Sequence, residues 1–480
     1  MRLMRFTVVG HSCLYLETEA GSILVDPWLS GSCYWRTWWH FPPSAEPSPE
    51  MLSPDFVYLT HHHFDHFHYP SMRRLDRSAR VFVPEFGVDV MANEVRGLGF
   101  EDVVELPNGL VTELGSGVRV ASYQYGFDDT ALVVADGDDV VADLNDCKIR
   151  GRALRRVRAE FGRPTFVLKS WSFAQSYPIA YTADDPDDLQ LVSRQSYLDD
   201  FVGRIQELEP RYAVPFGSMM ALLHPDAREF NEDFIPPGDA VAAWEAASGS
   251  VSTDTVALAM APGDTWSSDD GFEVADVDWY SDRETHLEEL AVQIQPKLDD
   301  QAQLEAGRTL DFDVFSAYLG EFVRALPPLS GRFAVRRPIV FFVGSSEPEP
   351  FWIVDVPRRR VERAAEPPSD AADLIWVPEA ILADAIERRV LHMIHGSMRI
   401  HTELRAGGAS ADLAFWGLLM IWEIGYLSRR AVLSRRFART LWRRRAEALD
   451  AVGALWGRGT FLEKMSDRFA ETSSGRDRGG

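Results

Sequence analysis

The feature that most constrains this chain is the segment Thr60-His61-His62-His63-Phe64-Asp65-His66, placed directly after the apolar run 56–59. A short apolar run bounded by Ser53-Pro54-Asp55 predicts a buried strand, so the histidines are expected in a loop at a strand end. Within the segment lies the pattern H-x-H-x-D-H, formed by His61, His63, Asp65 and His66. Imidazoles two residues apart can grip one cation if the loop turns sharply, and Asp65 with His66 can then reach a second. Imidazole combined with carboxylate suits zinc, iron or manganese, and the lack of thiolates disfavours a structural zinc. A surface histidine cluster is the competing explanation. The full pattern behind a buried strand argues against it.

Composition narrows the partners. With 49 Lys and Arg against 73 Asp and Glu, the 480-residue chain carries a net charge of −24. A phosphate-tracking surface is usually basic, so nucleic acid and anionic membrane are not expected as main partners. Three scattered cysteines, Cys13, Cys33 and Cys147, form no disulfide framework or zinc-ligand spacing and suit a reducing, cytoplasmic setting. The apolar start breaks at Gly10-His11, unlike a signal peptide. The stretch 415–427 is shorter than the roughly 20 residues a membrane span needs and contains Glu423.

Short strands are predicted at 6–9, 13–17, 22–25, 56–60, 80–83, 103–106, 118–123, 131–134 and 140–142, with helical spacing at 70–75 and 88–98. Strand pairs with interleaved helices imply a layered α/β sandwich. A helix is expected at 196–208 and a strand at 212–215, then an acidic, loop-rich stretch over 226–275. A boundary near 275 divides a catalytic domain, 1–275, from a C-terminal α+β domain, 276–480. The latter should hold a helix over 284–303 and strands at 338–343 and 351–356, then become mainly helical.

Other residues are candidates for the same site. A hairpin across Gly137 leads into Asp143-Leu144-Asn145-Asp146-Cys147, where an aspartate past a strand end can bridge two metals; Asp146 is preferred and Asp143 competes. His224, in Leu223-His224-Pro225-Asp226, stands where a last ligand is needed. His11, after the first strand, is expected near the metal or packed in a turn. The cluster 34–41 reads as a hydrophobic lid or a substrate wall, with Arg36 and Trp38 meeting an anionic group. Lys169 could line the same mouth. His392 and His395 stand at i, i+3 with no acidic residue between them and are not read as ligands. The arginines of 428–445 are expected on exposed helix faces, with docking to an acidic partner as the alternative.

The histidine loop resembles that of the metallo-β-lactamase superfamily, whose fold is an αββα sandwich. Gly10-His11-Ser12-Cys13 and 24–29 (Leu-Val-Asp-Pro-Trp-Leu) are similar to the entry strands of its lactonase and phospholipase D-type branch. Over 10–230 the chain also resembles the part of CMP-N-acetylneuraminate hydroxylase that follows its Rieske domain. Shared features include Asp26-Pro27-Trp28-Leu29-Ser30-Gly31, Trp38-Trp39, Asn145-Asp146-Cys147, Pro215-Phe216-Gly217 and His224-Pro225-Asp226. The resemblance implies Asp146 and His224 as ligands. No paired Cys-x-His and Cys-x-x-His is present, so an iron–sulfur centre is not expected here. Superfamily hydrolases also carry another histidine before the bridging aspartate; here Tyr123, Gln124 or Asp128 would have to substitute.

These readings imply an enzyme with one or two divalent ions, zinc or iron, with manganese a third choice. The leading expectation is a hydrolase that uses metal-bound hydroxide, with Asp65 orienting it, on an anionic small molecule. The alternative is an iron-dependent hydroxylase component fed by a separate Rieske or flavin protein; a non-catalytic metal-holding scaffold is the third reading. The C-terminal part would supply a lid or a homodimer contact.

Overall fold

The computed structural model describes residues 4–445 and 447, apart from 127, 250–253, 276–277 and 345–349. The expected boundary at 275/276 and Phe127 of the 123–128 stretch therefore touch positions outside the described residues.

Two mixed sheets stack face to face. The first contains eight strands in the order Gly271–Glu273, Thr265–Ser267, Arg5–Gly10, Cys13–Thr18, Gly21–Val25, Phe56–Tyr58, Arg80–Pro84 and Val103–Leu106. The second contains seven, from Val256–Ala257 through Tyr212–Pro215, Phe166–Lys169, Asp139–Asn145, Asp129–Asp136 and Val118–Tyr125 to Thr112–Gly115. The period-2 rule explains the sandwich. Leu14 and Leu16 join Val120, Val134 and Phe166 in the shared core, whereas Cys13 and Tyr15 point to the opposite face. There they meet Met51, Met72 and Val95 from the helices Pro49–Leu52, Tyr69–Met72 and Val90–Gly97. The outer face of the second sheet packs on Leu154, Val157 and Phe161 of the helix Gly151–Phe161. This is the helix–sheet–sheet–helix layering expected from the strand pattern.

Local signals held where they were local. Arg194–Leu208 is a helix capped by Ser193, whose side chain accepts from Ser196 N–H. Asp129–Asp136 and Asp139–Asn145 pair antiparallel across Gly137, as expected. The stretch 226–275 departs from its loop-rich reading: it holds the helix Pro237–Ser248 and short strands that complete both sheets. Strands of two or three residues are too short for periodicity to reveal.

A third sheet, of six strands, contains Ile339–Val343, Phe351–Asp355, Arg360–Ala364, Asp373–Val377 and His401–Leu404. Its edge strand, Tyr181–Ala183, comes from the earlier part of the chain and pairs in parallel with His401–Leu404. Helices Phe312–Ala325, Glu379–Arg388 and Ala409–Glu423 cover this sheet through Phe315, Ile381 and Phe415.

Arg429, Arg430, Arg435, Arg439 and Arg445 are exposed, as expected of the late arginines, yet part of the stretch also binds the chain's own acids. On the helix Arg435–Arg443, Arg439 and Arg443 both bind the Glu85 carboxylate, and Arg436 binds Glu105 and donates to the carbonyls of Phe86 (2.7 Å) and Val88 (2.9 Å). The acidic partner is the chain's own first sheet.

Candidate metal centre

The strand Phe56–Tyr58 pairs in parallel with Gly21–Val25 and Arg80–Pro84, so its C-terminal end opens at the rim of the first sheet. There the backbone tightens, with the N–H groups of His66 (3.1 Å) and Phe67 (2.8 Å) donating to His63 O. Two groups of three side chains converge among the described residues: His61, His66 and Asp146, and His11, Asp65 and His66. In each, the potential ligand atoms lie within 4.8 Å of one another. His63 joins them through its Nδ1, 2.8 Å from His61 Nε2. Asp146 arrives from the second sheet, just beyond Asp139–Asn145, so the two sheets close the site between them. Asp143, the competing aspartate, lies within that strand, buried, and belongs to neither group.

A buried scaffold aims these ligands. Asp26 accepts from Thr60 N–H (2.8 Å) and Thr60 Oγ1–H (2.6 Å), and its Oδ2 lies 2.7 Å from His66 Nδ1. With Nδ1–H donating to Asp26, His66 Nε2 is left as a bare acceptor. It is fully buried, has no hydrogen-bond partner, and sits 3.3 Å from carboxylate oxygens of both Asp65 and Asp146. An acceptor nitrogen between two carboxylates is a donor set that calls for a cation, and a carboxylate behind the imidazole is how metal-binding histidines are commonly oriented. The residues fit a divalent metal. Without one, burial works to lower the His66 pKa, but Asp65 and Asp26 outweigh it and push it well above the usual imidazole range. His61 moves the other way, lowered by burial and by His66 and His63.

Asp65 is held on both sides, its Oδ1 accepting from the Tyr34 hydroxyl (2.7 Å) and its Oδ2 lying 2.9 Å from His11 Nε2. Burial opposes its ionisation, yet His66 and His11 keep it well below the normal carboxylate range. His11, Asp26, Tyr34 and Asn145 all take positive φ (30°, 43°, 50° and 31°). Such conformations are sparsely populated for side-chain-bearing residues and gather at functional sites. Gly217 (φ 92°) closes the floor, its N–H donating to His11 O at 3.1 Å.

The centre opens into a cavity of about 320 Å³. His63, Asp65, Asp129, Asp146 and Lys148 line the near wall, and His392, His395, Trp416 and Met420 from the C-terminal part line the far wall. Asp128, one of the expected stand-ins, has its Oδ2 3.9 Å from His63 Nε2. Tyr123 and Gln124 turn away, to Glu160 (2.5 Å) and to the Glu85 carbonyl (2.8 Å). Asp129 was missed. Its carboxyl is raised well above the usual range by burial and then by Asp128 and Asp146.

Several expected site residues lie elsewhere. His224 belongs to neither converging group; its Nδ1 accepts from Asp226 N–H (3.2 Å), and burial and the nearby Arg399 lower it to about 4. Arg36 points away from the cavity, to Lys297 O and, at 3.7 Å, Asp300. Trp38 is buried behind the wall against Tyr34, ring centroids 4.7 Å apart. Lys169 is sealed beneath the floor, its Nζ donating to Asn145 O (3.0 Å) and Ser170 Oγ (2.8 Å). The cavity cation is instead Lys148, over the Tyr197 ring at 5.2 Å. A lysine two residues after an aspartate carries no signal in sequence, and neither does a far wall built from His392 to Met420, distant in the chain from the near wall.

Residues 5–163 match the family described as "Beta-lactamase superfamily domain". The N-terminal part is a metallo-β-lactamase-fold domain. A Rieske 2Fe-2S iron–sulfur protein by name, from Mycobacterium tuberculosis, is 31% identical to this chain over 250 residues, covering 49% of this chain and 48% of the relative. The cytidine monophosphate-N-acetylneuraminic acid hydroxylase of Danio rerio is 23% identical over 241 residues, 47% of this chain and 40% of that one. The chain thus spans about half the length, or less, of the curated relatives it matches. Among solved structures, the chain is similar to CmlA, a diiron β-hydroxylase from Streptomyces venezuelae, with 19% identity, a TM-score of 0.37, and coverage of 54% of this chain and 53% of that one. No helix among the described residues is long and apolar enough to cross a membrane.

Proposed function

We propose that this chain is the metal-binding catalytic part of an iron-dependent oxygenase of the hydroxylase type, fed with electrons by a separate protein. The observation that carries this reading is the donor set. Three imidazoles, His61, His63 and His66, stand with the carboxylates Asp65 and Asp146; Asp128, one of the residues expected in place of a further histidine, lies 3.9 Å from His63, and Asp129 lines the cavity next to it. Imidazole mixed with carboxylate accommodates iron as readily as zinc or manganese, and the carboxylates standing in place of a further histidine are the departure from the hydrolase pattern that favours iron here. The hydroxylase and Rieske names carried by relatives support the same direction.

Iron held by His61, His63, His66, Asp65 and Asp146 would supply the redox chemistry needed to activate dioxygen. The protein's own part is positioning. Asp26 and Thr60 fix His66, while Tyr34 and His11 fix Asp65. Lys148 offers the positive charge that an anionic small molecule would seek, and Trp416 and Met420 give part of the far wall an apolar surface.

Elemental analysis of protein purified without oxygen, followed by oxygen uptake with ascorbate as reductant, tests the reading. Bound iron, a visible absorption band and uptake that disappears in His63→Ala are expected. Colourless, zinc-loaded protein that hydrolyses p-nitrophenyl esters or phosphates would overturn it in favour of hydrolysis by the same ligands.

A further inference from the structure

A second set of buried polar groups ends on the far wall of the same cavity. Asp373 opens the strand Asp373–Val377, and Asp412 lies in the first turn of the helix Ala409–Glu423; both are fully buried. Asp373 Oδ1 accepts from Val340 N–H at 3.1 Å, while its Oδ2 meets no donor among the described residues. The Asp412 carboxyl is its electrostatic neighbour, and one proton shared between the two would satisfy both. Asp412 also accepts from Trp416 Nε1–H (3.1 Å) and, through Oδ2, from the Tyr181 hydroxyl (2.9 Å). The Tyr181 oxygen lies 2.9 Å from His395 Nε2. His395 and Trp416 line the cavity opposite Asp65 and Asp146.

The charges suit proton traffic. Burial, then the Asp412 charge, raises Asp373 well above the carboxylate range, and burial lifts Asp412 to about 6. Burial lowers His395 to about 4, so its imidazole is neutral at pH 7. The other titratable groups facing the pair are Tyr181 and, less closely, Arg337. A buried acid pair is costly, and an apolar pair of similar size would pack as well.

We infer that His395, Tyr181 and Asp412 form a proton relay serving the cavity, with His395 touching the bound molecule and the Asp373–Asp412 pair storing the proton. With Tyr181 donating to Asp412 and His395 Nε2–H donating to Tyr181, His395 Nδ1 is left as an acceptor. A proton taken onto Nδ1 from the bound molecule is matched by the Nε2 proton passing to Tyr181 and the Tyr181 proton passing to Asp412. One proton leaves the cavity, the carboxyl pair goes from one proton to two, and no electrons move. The reverse sequence returns it. The inference rests on the proposed function only in taking this cavity as the reaction chamber.

Two kinds of measurement decide it. The first needs no turnover. Infrared spectra should contain the carbonyl stretch of a buried protonated carboxyl that is lost in Asp373→Asn, and 15N shifts should put the His395 proton on Nε2, changing in Tyr181→Phe. Absence of that band, or a His395 signal indifferent to Tyr181→Phe, overturns the relay. The second reads turnover of iron-loaded protein by oxygen uptake with ascorbate, or p-nitrophenyl phosphate turnover if the centre proves hydrolytic. His395→Gln should slow it by roughly 10²-fold with metal content unchanged, and added imidazole should restore His395→Ala. Full activity in His395→Gln and Tyr181→Phe sinks the relay but leaves the oxygenase reading standing. A wild type lacking oxygen uptake sinks the oxygenase reading alone, and the spectroscopic results still judge the relay. Asp412→Asn risks misfolding, so Tyr181→Phe, which keeps the ring, carries the comparison.

Discussion

Asp26 Oδ2 and His66 Nδ1 lie 2.7 Å apart in a fully buried setting, and that contact turns the opposite nitrogen of His66 toward Asp65 and Asp146. The two residues are forty positions apart and meet because Gly21–Val25 and Phe56–Tyr58 run side by side in parallel.

Asp26→Asn should therefore weaken metal binding without unfolding the domain. The amide keeps the volume but loses the charge that fixes the imidazole tautomer. A loss of about 10–100-fold in affinity is expected, measured by titrating cobalt(II) or iron(II) into metal-free protein. Unchanged affinity would show that the orientation of His66 does not depend on this carboxylate.

Tyr34→Phe removes the hydroxyl that donates to Asp65 while keeping the ring against Trp38. Hydrogen bonds to charged groups contribute about 1.5–3 kcal/mol. Urea unfolding of metal-free protein should fall by an amount in that range, and metal occupancy should become more sensitive to acid.

His68 should make the fold sensitive to acid. Burial lowers its pKa to about 4, from 6.5, with Nδ1 2.8 Å from Ser71 Oγ. Between these values the unfolded chain binds the proton and the folded one does not, so stability falls as pH drops from about 6.5 to about 4. For His68 alone the full loss is about 3 kcal/mol. His68→Gln should flatten that part of the stability-versus-pH curve. An identical curve in the variant would refute the assignment.

Glu85 anchors the C-terminal arginine helix by accepting from both Arg439 and Arg443. Glu85→Gln should loosen the helix Arg435–Arg443 locally, by about 1–3 kcal/mol. Limited trypsin digestion reads this directly: the variant should be cut within 429–445 faster than wild type, and more so at high salt. Equal cutting rates would mean that the Arg436–Glu105 pair suffices.

What could be read beforehand followed from how local each signal is. The H-x-H-x-D-H loop is six residues behind one apolar strand, so its placement at a strand end needed no knowledge of distant contacts. The hairpin across Gly137 and the helix capped by Ser193 were legible for the same reason. Asp146 could be singled out because it directly follows the strand Asp139–Asn145, and the structure brings it into one group with His61 and His66. Lys169 misled because an apolar strand followed by a lysine looks like a pore mouth, whereas packing seals it under Asn145 and Ser170. His224 misled because its isolation in sequence suggested a task, while its neighbours are Asp226 and Arg399.

From its order of residues alone, the protein was committed to a layered sandwich with a histidine–aspartate loop at a strand end, because side-chain period and ligand spacing act over a few residues. Folding decided which distant groups share the cavity: Asp129 and Lys148 from beyond the first sheet, His395 and Trp416 from near the other end of the chain. Those meetings depend on strand register and on how a third sheet packs against the first two, which are set by many weak contacts acting together and by no motif.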